Sequence, residues 1–150
     1  MTQAQPVDLL IEARWVVPVE PDVSLAHHSI VLHQGKVLAV LPTAEARQHY
    51  QADDTVDLPH HALIPGLVNT HTHAAMSLFR GLADDLPLMD WLQQHIWPAE
   101  ARWVNADFVR DGTRLAMAEM LKGGTTCFSD MYFFPADTAH AAREAGMRAV

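Results

Sequence analysis

Cysteine is nearly missing from this chain. A single thiol, Cys127, excludes an internal disulfide framework and fits a reducing cytoplasm. It falls in an apolar run and reads as buried filler rather than a reactive group. Basic residues are also scarce: ten Lys and Arg stand against eighteen Asp and Glu, a formal net charge of −8. Nucleic-acid affinity comes largely from cations that neutralise phosphates, so this balance argues against a nucleic-acid partner. No apolar run approaches the ~18 residues that a bilayer span needs, so no membrane partner is expected. The first residues, MTQAQP, lack a basic segment followed by an apolar core, so no signal peptide is expected and the cytoplasm is the expected compartment. Internal repeats and low-complexity tracts are absent. With 49% apolar and 19% charged residues, the composition is that of a soluble globular protein.

What the chain does have is histidine, ten in all, and one pair at a telling spacing. His71 and His73 close the run ALIPGLVNTHTH at 62–73, which reads as a buried strand. Side chains at i and i+2 of a strand share a face, so the two imidazoles project side by side, able to grip one metal ion. Neutral imidazole is the commonest metal ligand. Ala74 and Ala75, both small, leave room above them. Chance produces such triplets in a histidine-rich chain. Most of the other histidines (His27, His28, His33, His49, His60, His61 and His140) fall in loops or polar faces and read as solvated. His95 lies in a helical stretch and reads as facing solvent or a lid.

Residues 1–62 read as an antiparallel β unit. Short strands are expected at 7–13, 15–19, 29–33, 36–41 and 55–58, with a hairpin turn at Gln34–Gly35 and a short helix over 43–50 that Thr43 caps. From residue 63 the rhythm changes to strand (63–70), helix (106–122), strand (125–132) and helix (136–145), with Pro135 in a loop. Asn105 is placed to cap the first helix, and Gly123-Gly124 to end it. Phe108, Leu115, Ala118, Met120 and Leu121 are its expected buried face. Strand–helix alternation predicts a parallel α/β arrangement, and the C-terminal ends of parallel barrel strands are where chemistry collects.

These residues carry a resemblance. The run LIPGLVNTHTH at 63–73 resembles the first barrel strand of the amidohydrolase superfamily. The continuation HAAMSLFRGLADDL at 73–86, then Trp91-Leu92 and WPAE at 97–100, is similar to the nucleoside-deaminase and chlorohydrolase branch, and within it to the methylthioadenosine/S-adenosylhomocysteine deaminases. The resemblance implies an α/β fold: a (β/α)8 TIM barrel, of which only the first strands are present, beside a small β-sandwich domain formed in part by residues 1–62. The barrel portion would be 63–150. Such a barrel needs ~250 residues, so the chain reads as the N-terminal part of a longer protein.

The implied activity is metal-dependent hydrolytic deamination of adenosine-like nucleosides. His71 and His73 would be metal ligands for zinc, one ion per subunit, with iron or another divalent metal as the alternative. The remaining ligands and the general acid/base would lie beyond Val150, so no catalytic residue is assigned within this chain. Zinc would lower the pKa of a water towards ~7 for attack on C6 of the adenine ring. Glu100 matches a position at which these deaminases accept hydrogen bonds from both ribose hydroxyls; a solvated glutamate on a helix is the competing reading. Trp91 and Trp97 would wall the purine, or simply pack. Met76, Phe79 and Leu82, at helical spacing, read as packing residues, Asp84-Asp85 as a solvated pair, and Asp130 as a weak pocket candidate. The expected partner is a small nucleoside, and a homo-oligomer is expected. Other readings within the superfamily are aminohydrolases or chlorohydrolases acting on a free base such as guanine, cytosine or an s-triazine. A dihydroorotase-like cyclic-amide hydrolase would carry Arg where Ala75 stands. A non-catalytic scaffold would have no need of His71 and His73.

Overall fold

The structure is a computed structural model and describes residues 4–150. It is a mixed α/β chain whose described residues divide into two compact units, 4–65 and 66–150. Among the described residues no helix is long and apolar enough to cross a membrane.

The first unit is one four-stranded sheet of order β3-β2-β1-β4, built from β1 (Gln5–Val16), β2 (Leu25–His33), β3 (Lys36–Pro42) and β4 (Tyr50–Leu63). Between β3 and β4 lies α1 (Thr43–His49). The expected antiparallel unit is corrected here. β1 pairs antiparallel with β2 but parallel with β4, and the sheet is mixed. Local pattern predicts hairpins between neighbours; it carries no sign of a partner forty residues away. The two short strands expected at 7–13 and 15–19 are one strand ending at Val16, with a register irregularity between Ala13 and Trp15. The strand expected at 55–58 runs from Tyr50 to Leu63.

The hairpin forms as expected. Gln34 (φ 50°) and Gly35 (φ 71°) both adopt the left-handed conformation that a two-residue turn between twisted strands demands. The Asp8 carboxylate secures it, accepting from Gln34 N at 2.6 Å and pairing with His33 Nδ1 at 2.7 Å. Val7, Leu10, Val31 and Ala46 form the core. Glu12 is buried beside this core and takes two hydrogen bonds from Arg47, at 2.8 and 2.5 Å, so its charge is not stranded. Thr43 does not cap α1; its hydroxyl donates to the His27 carbonyl and accepts from Ser29.

The second unit has a parallel sheet of order β5-β6-β7, from β5 (Leu67–Thr72), β6 (Thr125–Asp130) and β7 (Arg148–Ala149). The first strand begins at Leu67, not at residue 63, because β4 continues through Leu63 and Pro65 cannot donate to a ladder. A 3-10 segment (Ala74–Phe79) follows, then α2 (Leu88–Trp91), a π-helical turn (Leu92–Ile96) and α3 (Trp97–Trp103) in one continuous helical stretch. Pro98 explains the π turn: its ring clashes with the carbonyl four residues back and its nitrogen donates nothing, so the preceding turn widens.

Then come α4 (Ala106–Lys122), between β5 and β6, and α5 (Pro135–Glu144), between β6 and β7. Asn105 caps α4 by accepting from Phe108 N at 2.9 Å. Pro135 opens α5 rather than sitting in a loop, because the first turn of a helix needs no N–H there.

The face that α4 buries differs from the expected one. Val109, Gly112, Thr113, Ala116 and Met117 are buried, while Leu115 and Leu121 stay exposed. Close packing rather than apolar size selects this face. A Cβ on Gly112 would lie 2.5 Å from the Ala75 carbonyl oxygen and 2.9 Å from its Cα, so the helix rests on the Ala74–Phe79 segment through bare backbone. Ala74, Ala116, Met117, Phe128, Ala141, Ala142 and Met147 make the core beneath.

Candidate metal centre and substrate pocket

β5 delivers His71 in its last turn of pleat and releases the chain just before His73. The two imidazole centroids are 5.2 Å apart, nearly perpendicular at 83°. Asn69 steadies the strand end by accepting from His71 N at 3.2 Å. His73 is held more tightly. Its Nδ1 lies 2.6 Å from the Met131 carbonyl oxygen, which can only accept, so Nδ1 carries the proton. Nε2 is then the lone-pair nitrogen, the form that binds a metal, and the carbonyl is the kind of outer partner that fixes such rings. The donor chemistry of the pair fits a divalent ion such as zinc. Among the described residues no group of three or more His, Cys, Asp or Glu side chains is placed to hold a metal.

The backbone after His73 turns at once. Met76 N donates to the His73 carbonyl at 2.9 Å, and Ala74 N donates to Asp130 Oδ1 at 2.7 Å. Asp130 is thus a brace for the chain behind His73. Its second oxygen makes only a long contact, 3.4 Å, with Thr138 Oγ1.

A cavity of about 400 Å³ opens beside His73. Its walls include Met76, Trp91, Leu92, Ile96, Trp97 and Phe133, and its polar groups are His73, Glu100 and Tyr132. His71 does not line it. An apolar hollow of about 360 Å³ adjoins, sharing Trp97, Glu100 and Phe133 and adding Ala101, Val104 and Phe134. Concave, mainly apolar walls with a few convergent polar groups are the usual form of a small-molecule site.

Glu100, on α3, is half-buried and accepts from the Tyr132 hydroxyl at 2.9 Å. Burial first, and then the hydrogen bond and charge of Glu100, hold the Tyr132 phenol above its ordinary range, so it remains a donor. Trp91 stands at the cavity wall, with its indole N–H donating to the Leu82 carbonyl at 3.2 Å. Phe79 stacks on Phe108 at 4.8 Å, a packing contact as expected. His95 is half-buried in the π turn and does not line the cavity; Asp84 and Asp85 are exposed. Cys127 is only partly buried. Tyr132, the Met131 carbonyl and Gly112 are the contributors that sequence reasoning missed. Of these only Gly112 left a signal, a glycine kept inside an otherwise strong helix.

Residues 62–150 match the model of the amidohydrolase family. A 5-methylthioadenosine/S-adenosylhomocysteine deaminase of Saccharophagus degradans is 57% identical, aligned over 99% of this chain and 34% of its own length. A 5'-deoxyadenosine deaminase of Methanosarcina barkeri is 46% identical over 95% of this chain and 32% of its own. The chain therefore spans about a third of the length of these relatives. Among solved structures, an adenosine deaminase from Xanthomonas campestris with bound zinc superposes with a TM-score of 0.97 at 54% identity, over 99% of this chain and 34% of that one. An atrazine chlorohydrolase from Arthrobacter aurescens complexed with zinc shares the fold, with a TM-score of 0.85 at 24% identity over 94% of this chain and 34% of that one. On the match over 62–150, this chain belongs to the amidohydrolase family.

Proposed function

We propose that these 150 residues work within a longer zinc-dependent enzyme that deaminates adenosine-like nucleosides, methylthioadenosine, S-adenosylhomocysteine or adenosine, to the inosine analogue and ammonia. The observation that carries this reading is one cavity lined by both His73 and Glu100. A metal-ligand candidate and a carboxylate face the same space, separated by walls that suit a flat base. In this reading β5, β6 and β7 open a (β/α)8 barrel, residues 1–62 contribute to a small β-sandwich, and the longer protein supplies the other metal ligands and the acid/base. The enzyme is cytoplasmic and a homo-oligomer, binding one zinc per subunit.

Zinc supplies the acidity that readies a water for attack at neutral pH. This chain's residues do the rest of the work assigned to them here. His71 and His73 hold the ion, His73 through Nε2 because Met131 occupies Nδ1. Trp91, Trp97 and Met76 exclude solvent from the base. Glu100, an acceptor-only group when ionised, receives the ribose hydroxyls; such a carboxylate suits a vicinal diol.

Glu100→Gln in the full-length enzyme tests this. The change keeps size, removes the charge and turns one acceptor oxygen into a donor. Hydrogen bonds to charged groups contribute about 1.5–3 kcal/mol, so kcat/KM for methylthioadenosine falls by about one to two orders of magnitude. A 2',3'-dideoxy substrate loses far less, and zinc content stays unchanged. Equal loss on both substrates makes Glu100 structural and favours a free-base aminohydrolase.

A further inference from the structure

Three consecutive residues at the end of β6 each fasten a different part of the site. Asp130 braces the backbone at Ala74, the Met131 carbonyl fixes the His73 ring, and the Tyr132 hydroxyl donates to Glu100 Oε1. We propose that Tyr132 is a positioning residue for substrate recognition: its hydroxyl holds one oxygen of Glu100 and so leaves the other turned toward the cavity for the ribose diol. This rests on the reading of Glu100 given above and adds the group that orients it.

The geometry carries the inference in three steps. First, a glutamate's terminal torsion is broad and roughly two-fold, so an untethered carboxylate samples many directions. Ordering it on binding costs affinity, and a group ordered in advance avoids that cost. Second, Tyr132 is itself packed against other rings. Its ring neighbours His73, 6.2 Å away between centroids, and Phe133, at 5.1 Å, and the residue before it bonds His73. The hydroxyl is therefore anchored to the histidine side of the site rather than to α3, which carries Glu100. Third, a phenol has one proton to donate, and a carboxylate can only accept it. That proton is committed to Oε1, and no other described side chain bonds Glu100. Oε2 is left for a ligand. Burial and Glu100 both favour the neutral phenol, the form that donates.

The test is Tyr132→Phe in the full-length, zinc-loaded enzyme, which keeps the ring and its packing and removes only the hydroxyl. Methylthioadenosine and its 2',3'-dideoxy analogue are compared in wild type, Tyr132→Phe, Glu100→Gln and the double variant. The expected result is a fall in kcat/KM of roughly three- to tenfold for the diol substrate, the size of one ordinary hydrogen bond, carried by KM. The dideoxy substrate loses far less, and zinc content is unchanged. The double variant costs no more than Glu100→Gln alone, because both changes remove the same link. Equal loss on the two substrates, or losses that add in the double variant, overturns the proposal. A Glu100→Gln that discriminates beside a Tyr132→Phe that does not overturns it while leaving the ribose reading standing. A Glu100→Gln that costs both substrates equally overturns both.

Discussion

The Met131 carbonyl oxygen sits 2.6 Å from His73 Nδ1, and this one contact decides which nitrogen of the ring is free. A carbonyl has no proton to give, so the tautomer is set by the backbone one residue past β6. The two histidines are therefore not equivalent: the His73 ring is oriented by the chain after β6, whereas the hydrogen bond at His71 joins its backbone N–H to Asn69.

Removing either imidazole should lower bound zinc and turnover together in the full-length enzyme. His71→Ala and His73→Ala delete a direct ligand in the proposed site. Loss of an outer partner alone typically costs 10–100-fold in metal affinity, so each variant should lose more than about a hundredfold. Zinc analysis after dialysis against a chelator, beside steady-state turnover, measures both. Full zinc with normal turnover in either variant would contradict the metal assignment.

Gly112→Ala should destabilise the protein, although alanine is the better helix former by about 0.5–1 kcal/mol. The new methyl would press on the Ala75 backbone, at 2.5 Å from its oxygen, and backbone cannot swing aside as a side-chain tip can. Overpacking of this kind costs about 1–3 kcal/mol, more than the helix gains. Denaturant titration gives the sign directly. A variant more stable than wild type would mean that α4 slides freely over the segment after His73.

The Tyr132 phenol should resist alkali. Its folded pKa is raised above the ordinary 10.0, by burial first and by Glu100 second. A group shifted this way contributes stability that is present below the unfolded value and lost as pH climbs past it. Ultraviolet difference titration of wild type against Tyr132→Phe should show no ionisation of this phenol at pH values where a free tyrosine has already titrated. Glu100→Gln removes the charge and should bring the transition down. A titration near the ordinary value in wild type would contradict the buried hydrogen bond.

The parts of this site that could be read from sequence are those with a short period. The i, i+2 spacing of His71 and His73 brings their rings within 5.2 Å of each other where β5 ends, although His73 lies one residue past the strand. Asn105 announced its helix through local chemistry alone, and Gln34–Gly35 announced a turn. What stayed hidden depends on distance along the chain. Tyr132 meets Glu100 across 32 residues, and no local pattern encodes that meeting. β4 adds to β1 in parallel, which hairpin logic does not anticipate. The buried face of α4 departs from the apolar pattern for a different reason. Leucines at 115 and 121 suggested a large apolar contact, yet close approach through Gly112 selects the neighbouring stripe of Val109, Thr113 and Ala116.

β4 also carries its own obstacle to pairing with copies of itself. β4 is an outer strand fourteen residues long, and a bare outer strand of that length invites other strands to pair with it. Here the row is broken by exposed Asp53, Asp54 and Asp57, and by Pro59, which offers no N–H. An incoming copy would bring the same negative charges and the same missing donor. Among the described strands, charge and a missing donor thus oppose self-pairing along β4, where a flat apolar strand would template fibrils.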